Sequence, residues 1–260
     1  MIIPPLQGKL EHTDFFIYGA CDEKYFDEFG RVLIKSIRQN SDNNIHLHLF
    51  NPRADQLDFC QNHNVSVSYE IVPIELFENA ASKWQGSMTT DFDIERQKRT
   101  LKSMEKGGDK SIIERMQKTY FACARFIRLA ELLKDPQKVF SIDVDAVVRK
   151  QIPVLADGPD LYIRRNKQFL AGGVYLTGNK SSYKFIKEYS TLLTSNINAD
   201  KIYWSLDQDV LDVIAGRYRY GELPMSYIDW FMDSNSYIWT AKGKRKDLKI
   251  FIDEQQRYLT

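Results

Sequence analysis

Little in this 260-residue chain suggests a staple, an anchor or a polyelectrolyte partner. Its three cysteines, Cys21, Cys60 and Cys123, are odd in number and far apart, which argues against a disulfide framework and for a reducing compartment. No run approaches the roughly 18 consecutive apolar residues of a transmembrane helix. The opening MIIPPLQGKLEH has neither a basic stretch nor a long apolar core. The expectation is a cytoplasmic chain with no membrane span. Charge of one sign is missing too: 36 Lys and Arg face 35 Asp and Glu, a net charge of +1. That balance does not supply the field on which non-specific nucleic-acid binders depend, so no nucleic-acid partner is expected. With no repeat and no low-complexity tract, fibrous and disordered classes are excluded as well.

What is present is an ordinary globular composition, 43% hydrophobic, enough to bury a large core in a single domain over 1–260. Residues Asp14 to Ala20 read DFFIYGA, the pattern of a strand buried on both faces. Phe29, Val32, Leu33, Ser36 and Ile37 recur at three- and four-residue spacing, which predicts a helix ending before SDNN. IHLHLF alternates, and period two on a half-exposed strand accounts for His46 and His48 without a metal. VSVSYEIV predicts a third strand. Strands alternating with helices predict an α/β fold with a mostly parallel sheet flanked by helices, a Rossmann-like nucleotide-binding half over 14–150.

From 79 to 118 the periodicity fades and the segment reads as a lid, an insertion or a pair of solvated helices. TYFACARFIRLAELLKD then predicts a helix with Met116, Tyr120, Cys123, Ile127 and Ala130 on one stripe, stopped by Pro136. KVFSIDVDAVV follows as a strand ending in two carboxylates. The second half, 151–260, offers the apolar FLAGGVYLTGN, a helix from about Ser181 to Thr194 and another from near Ser205. Segments 95–118 and 242–249 are each net +4, leaving −7 for the remainder, so positive charge is concentrated in two places.

Asp143 and Asp145 stand two apart. If the strand runs on to Asp145, both side chains leave on one face, at the edge where open α/β sheets bind ligands. Close carboxylates repel, and a hard divalent ion such as Mn²⁺ or Mg²⁺ relieves the repulsion while bridging phosphate oxygens. The functional reading is a metal–diphosphate clamp, and the bland one is a solvated pair at a strand end. Ser205-Leu206-Asp207-Gln208 has the spacing of a helix capping box, which would occupy Gln208 structurally. Cys60 and His63 are half a zinc spacing without a second half and read as structural. Tyr203, Trp204, Trp230 and Trp239 are either core or stacking surfaces for a sugar.

Taken in order, ACDEKY from Ala20 to Tyr25, ARF with Arg125, KVFSIDVDAVV, AGGVYL from Ala171 to Leu176, Asp207-Gln208-Asp209, and Gly243 with Lys246 resemble the A-type (GT-A) nucleotide-sugar glycosyltransferases. The resemblance is to the retaining group, family 8-like, that contains glycogenin and bacterial galactosyltransferases. It implies that Ala20, Asp22 and Tyr25 hold the nucleoside of a UDP-sugar and that Arg125 helps hold the donor. It further implies that Asp143, Val144 and Asp145 meet the donor, with Asp143 and Asp145 as ligands of Mn²⁺ or Mg²⁺. Ala171 and Gly172 would lie beside the sugar, and Gly243 and Lys246 against the diphosphate. Asp207 would orient the sugar and Gln208 would lie near its β face. The implied activity is transfer of a hexose to an acceptor hydroxyl, with the acceptor (saccharide, protein or lipid-linked) undetermined.

Two departures qualify these expectations. Thr240 stands where many relatives place a histidine that completes the metal site, and the basic run Lys242, Lys244, Arg245 and Lys246 is the natural compensation for a weaker ion. The same departure supports an alternative, a nucleotide-sugar-binding protein without turnover. Ala171, or Leu170, stands where relatives carry an asparagine or aspartate beside the sugar. A nucleotidyltransferase also uses paired aspartates but needs a basic Gly-rich loop where this chain has ACDEKY.

Overall fold

Large apolar side chains on both faces of Phe15–Asp22 make it the middle strand, since such a segment is stable only with helices packed on either side. The computed structural model describes residues 1–11, 13–83, 108–166, 168–241 and 243–259. After β1 (Gln7–Gly8) and β2 (Phe15–Asp22) come α1 (Glu23–Tyr25), a π-helical turn over Phe26–Gly30, α2 (Arg31–Asn40), β3 (Asn44–Phe50), α3 (Ala54–Asn62), β4 (Ser66–Glu70) and α4 (Glu75–Ser82). Then follow α5 (Gly108–Leu132), β5 (Lys138–Ile142), β6 (Ala146–Val148), β7 (Leu161–Asn166), β8 (Gln168–Thr177), α6 (Lys180–Asn198), α7 (Leu206–Ala215), β9 (Tyr220–Glu222), β10 (Ile238–Thr240) and α8 (Lys249–Gln256).

Eight strands form one mixed sheet in the order β1-β4-β3-β2-β5-β8-β7-β9. Strands β4, β3, β2 and β5 are parallel, β8 is antiparallel to β5 and β7, and β9 is parallel to β7. From β2 the chain steps outward to β3 and β4, then returns to lay β5 on the other side of β2. The C-terminal ends of β2 and β5 therefore meet at a switch point, where ligand crevices of such sheets open. A second, two-stranded sheet pairs β6 with β10, setting Thr240 opposite Ala146.

One face of the sheet is covered by α5, α6 and α7, and all five stripe residues of α5 are buried there. The other face carries Phe26, Leu33, Ile37 and Cys60. Among the described residues no helix is long and apolar enough to cross a membrane.

Three expectations change. His46 and His48 are fully buried, so β3 is not half-exposed; α5 covers the face they occupy. Serine hydroxyls from β4 engage them, with Ser66 Oγ at 2.9 Å from His46 Nδ1 and Ser68 Oγ at 2.9 Å from both His46 Nε2 and His48 Nδ1, while His48 Nε2 is left without a partner among the described residues. The expected insertion contracts at both ends, because residues 75–82 and 108–132 are helical; 84–107 lie outside the described residues. Finally, the strand bearing the carboxylates stops at Ile142 and resumes as β6 in the other sheet, leaving Asp143-Val144-Asp145 in a bend.

Candidate active site

The bend orients the two aspartates by a different route from strand alternation. Val144 is buried in the cluster that holds Leu47 and Ile142, and this anchor turns the flanking carboxylates outward. Asp143 keeps its side chain 49% exposed, while that of Asp145 is 13% exposed. Asp143 N donates to Gly172 O at 3.3 Å, drawing the bend against β8. A Cβ on residue 172 would stand 2.6 Å from Asp143 Oδ2, so Gly172 leaves the space this carboxylate occupies.

Each aspartate has a cationic partner. Arg125, buried on α5, pairs with Asp143 through Nη1 and donates through Nη2 to Ala171 O at 3.0 Å; its own carbonyl accepts from Tyr18 OH at 2.9 Å. Lys246 Nζ lies 2.6 Å from Asp145 Oδ2 and also hydrogen-bonds to Tyr25 OH. The ammonium stands over the rings of Tyr25 and Phe29, 4.7 and 4.6 Å from their centroids. Asp22 ends β2 and places Tyr25 by accepting from its backbone N–H at 2.8 Å as the N-cap of α1. Gly243, at φ +60°, starts the exposed 3-10 turn Gly243–Asp247 that carries Lys246.

Burial and these pairings set the electrostatics of the site. Burial pushes the Asp145 carboxyl up, the neighbouring Asp143 charge pushes it further, and Lys246 offsets only part of this. Burial pulls Lys246 down, but the attraction of Asp145 and its hydrogen bonds outweigh that, so the ammonium holds its proton more tightly than usual. Arg125 behaves alike: burial lowers it, and Asp143 and then Asp207 raise it above the ordinary range. Asp207 therefore acts on Arg125 within the same field.

The donor set fits a hard divalent ion of one kind. Asp143 and Asp145 supply oxygens, but the Thr240 hydroxyl donates to Asp145 O at 3.2 Å, and the described residues contain no group of three or more His, Cys, Asp or Glu able to hold a metal. Magnesium-like ions are commonly held by one or two carboxylates with waters and substrate phosphates completing the shell. The residues suit an ion that arrives with a diphosphate rather than one resident in a protein cage.

Beyond these, α7 brings Asp207 and Gln208. Ser205, at φ +74°, makes no side-chain cap bond, so the expected capping box is absent. Gln208 Oε1 instead accepts from Gln168 Nε2 at 3.0 Å, and Asp207 O accepts from Tyr189 OH at 2.7 Å. Arg125 is itself buried, although the carboxylate it pairs with is half-exposed. Ala20 lies in β2 just before Asp22. Among the described residues of the basic run, Lys246 reaches the aspartates, Arg245 stands 5.8 Å from the Phe231 ring centroid and Lys244 is exposed; Lys242 lies outside the described residues. Tyr203 and Trp239 are buried core, whereas Trp204 is exposed. Sequence reasoning missed the parts played by Tyr18, Phe29, Tyr189 and Gln168, whose partners Arg125, Lys246, Asp207 and Gln208 lie between 18 and more than 200 residues away.

No protein-family model matches the chain, and no curated protein matches it significantly. Solved structures do. The galactosyltransferase LgtC, in complex with donor and acceptor sugar analogs, superposes with a TM-score of 0.55 at 13% identity, covering 94% of this chain and 96% of that one. The glycosyltransferase GlyE of Streptococcus pneumoniae gives 0.57 at 12% identity over 94% of this chain, which spans 61% of GlyE. The bifunctional glycosyltransferase WbbM gives 0.53 at 15% identity, covering 96% of this chain and 51% of WbbM. The chain thus has the GT-A fold of these glycosyltransferases, with its paired aspartates at the switch point of the sheet.

Proposed function

We propose that this chain is a glycosyltransferase that moves a hexose from a UDP-sugar to an acceptor hydroxyl with retention of anomeric configuration. The observation that carries the proposal is the pairing of Asp143 with Arg125 and of Asp145 with Lys246 at the joined ends of β2 and β5. Two carboxylates interleaved with two cations suit a bound metal and diphosphate, because each incoming charge finds a counter-charge already placed. The shared fold supports the reading, since LgtC is described with donor and acceptor sugar analogs.

Asp143 and Asp145 would hold Mn²⁺ or Mg²⁺, which when bound neutralises phosphate oxygens and eases departure of the diphosphate. Ala20, Asp22 and Tyr25 take the nucleoside, while Ala171 and Gly172 border the sugar. Arg125 keeps Asp143 against β8, and Lys246 transfers its hydrogen bonds from Asp145 to the diphosphate as negative charge grows there. Asp207 orients the sugar, and Gln208 stands beside the anomeric carbon. An amide is a weak nucleophile. The step is therefore a front-face attack: the anomeric carbon–phosphate oxygen bond breaks with its electron pair going to the diphosphate, the acceptor oxygen bonds to that carbon, and the acceptor proton passes to the departing oxygen.

Asp145→Asn is expected to abolish UDP release from UDP-glucose or UDP-galactose while melting like the wild type. Wild-type rates in that variant would remove the clamp. A second reading, a nucleotide-sugar binder without turnover, is favoured by Thr240, whose hydroxyl is engaged by the Asp145 carbonyl rather than offered to an ion. Calorimetric UDP-sugar binding with no UDP release in Mn²⁺, across varied acceptors, would decide for it.

A further inference from the structure

We infer that Phe29 is a positioning residue: with Tyr25, its ring seats the Lys246 ammonium beside Asp145 without neutralising it. This role rests on the function proposed above and adds a part to the same site. Lys246 has little of its own surroundings to fix it, because the 3-10 turn Gly243–Asp247 buries none of its side chains. Its Nζ is placed instead from remote parts of the chain. Asp145 Oδ2 lies at 2.6 Å, the Tyr25 hydroxyl hydrogen-bonds to it, and two ring faces stand below it, with centroids at 4.7 Å for Tyr25 and 4.6 Å for Phe29.

The two rings are built into the fold. Tyr25 is set by the Asp22 cap of α1, and Phe29 follows four residues later in the π-helical turn Phe26–Gly30, which Arg31 N closes by donating to Phe26 O. Such turns are rare. This one sends Phe26 edge-on against Phe59, with centroids 6.0 Å apart, and leans Phe29 on Tyr25 at 4.9 Å with the planes 55° apart. Phe29 is buried in the core between the sheet and its helices, so its ring is a fixed surface.

The contacts to the ammonium differ in what they leave behind. A carboxylate cancels its charge, whereas an aromatic face attracts it through the ring quadrupole and carries no net charge. When Asp145 is engaged by a divalent ion and a diphosphate enters, the rings still hold Nζ, and its full charge is directed at the phosphate oxygens. A lysine on an exposed turn would otherwise lose its rotamer freedom at each binding event; the seat removes most of that loss in advance.

The test uses Phe29→Leu and a trifluorinated phenylalanine at position 29, which keeps the shape of the ring but drains its faces of negative potential. Calorimetry with UDP and Mn²⁺ is expected to show affinity about three- to tenfold weaker in both. Neither change should weaken binding further when made in Lys246→Met. Packing alone survives fluorination and does not depend on the ammonium, so unchanged affinity in the fluorinated protein, or an equal loss in the Lys246→Met background, overturns the inference. A readout free of ligand accompanies it: the ε-methylene proton resonances of Lys246, set by the two ring currents, are expected to shift in Phe29→Leu, and unmoved resonances also overturn the inference. Failure of the wild type to bind UDP defeats the proposed function instead, while the methylene resonances still report on the seat.

Discussion

Acidification from pH 7.5 to 5.0 is expected to destabilise this protein by about 2 kcal/mol through His46, with His48 adding in the same direction. Burial holds the His46 imidazole down to about 3. Burial, then the Arg128 charge, then His46 itself hold His48 well below its ordinary value. A group whose folded pKa is depressed is neutral in the fold and protonated in the unfolded chain below about 6.5, so stability falls with pH at about 1.4 kcal/mol per pH unit for each histidine. Integrated over this range, His46 contributes about 2 kcal/mol and His48 acts in the same sense, and full burial of both rings removes solvent screening as an escape.

A second proton on either ring would be buried beside neutral hydroxyls and an aromatic ring. Ser68 Oγ serves both imidazoles with one hydrogen, His48 Nε2 has no partner, and His48 packs edge-on against Phe50 at 4.9 Å. Glu70 acts in the opposite sense. Burial raises its carboxyl despite Arg128 and Tyr120, so the fold takes up that proton first and gains stability as pH falls through it. Asp27, Asp55, Asp160 and Asp200, all held low, lose their contributions only near and below about pH 4, beneath the window. Urea unfolding at both pH values measures the fall. His46→Gln with His48→Leu should remove most of it. A wild-type fall under about 1 kcal/mol, or an unchanged fall in the double variant, would refute the reasoning.

Gly172→Ala should displace the Asp143 carboxylate, because the new Cβ would meet Oδ2 at 2.6 Å; calorimetry should show UDP-sugar binding about tenfold weaker with a normal circular-dichroism spectrum. Lys246→Met removes a charge-assisted bond to Asp145 and to any diphosphate, so UDP affinity should drop about 10- to 100-fold, and undiminished affinity would detach Lys246 from the site. Arg128→Met leaves Glu70 buried without its charge partner and should cost about 3–5 kcal/mol in chemical unfolding, most of which Glu70→Leu in the same chain should restore.

Much of the fold was legible because it rests on local periodicity. The stripe of Met116, Tyr120, Cys123, Ile127 and Ala130, the double-faced strand at residues 15–22 and the turn-punctuated alternation of helix and strand all follow from 3.6- and 2-residue repeats of apolar side chains. The residues expected from the resemblance also largely gathered, with Asp22, Tyr25, Arg125, Asp143, Asp145, Gly172 and Lys246 around one switch point. Periodicity fails where a side chain's environment is set by remote chain. Whether His46 and His48 meet water depends on α5 arriving more than 60 residues later. Whether Gln208 caps its own helix or takes Gln168 depends on the backbone of Ser205 and the docking of β8.

By itself, then, the amino-acid order determined the elements, their apolar faces and the inventory of charged groups. These are properties of neighbours along the chain, where spacing dictates direction. Only the tertiary structure decided the pairing of Asp143 with Arg125 and of Asp145 with Lys246, the bend in place of a continuous strand, and the single hydroxyl shared by two buried imidazoles. Charge pairing and desolvation depend on distance through space, and distance through space is not encoded in sequence separation.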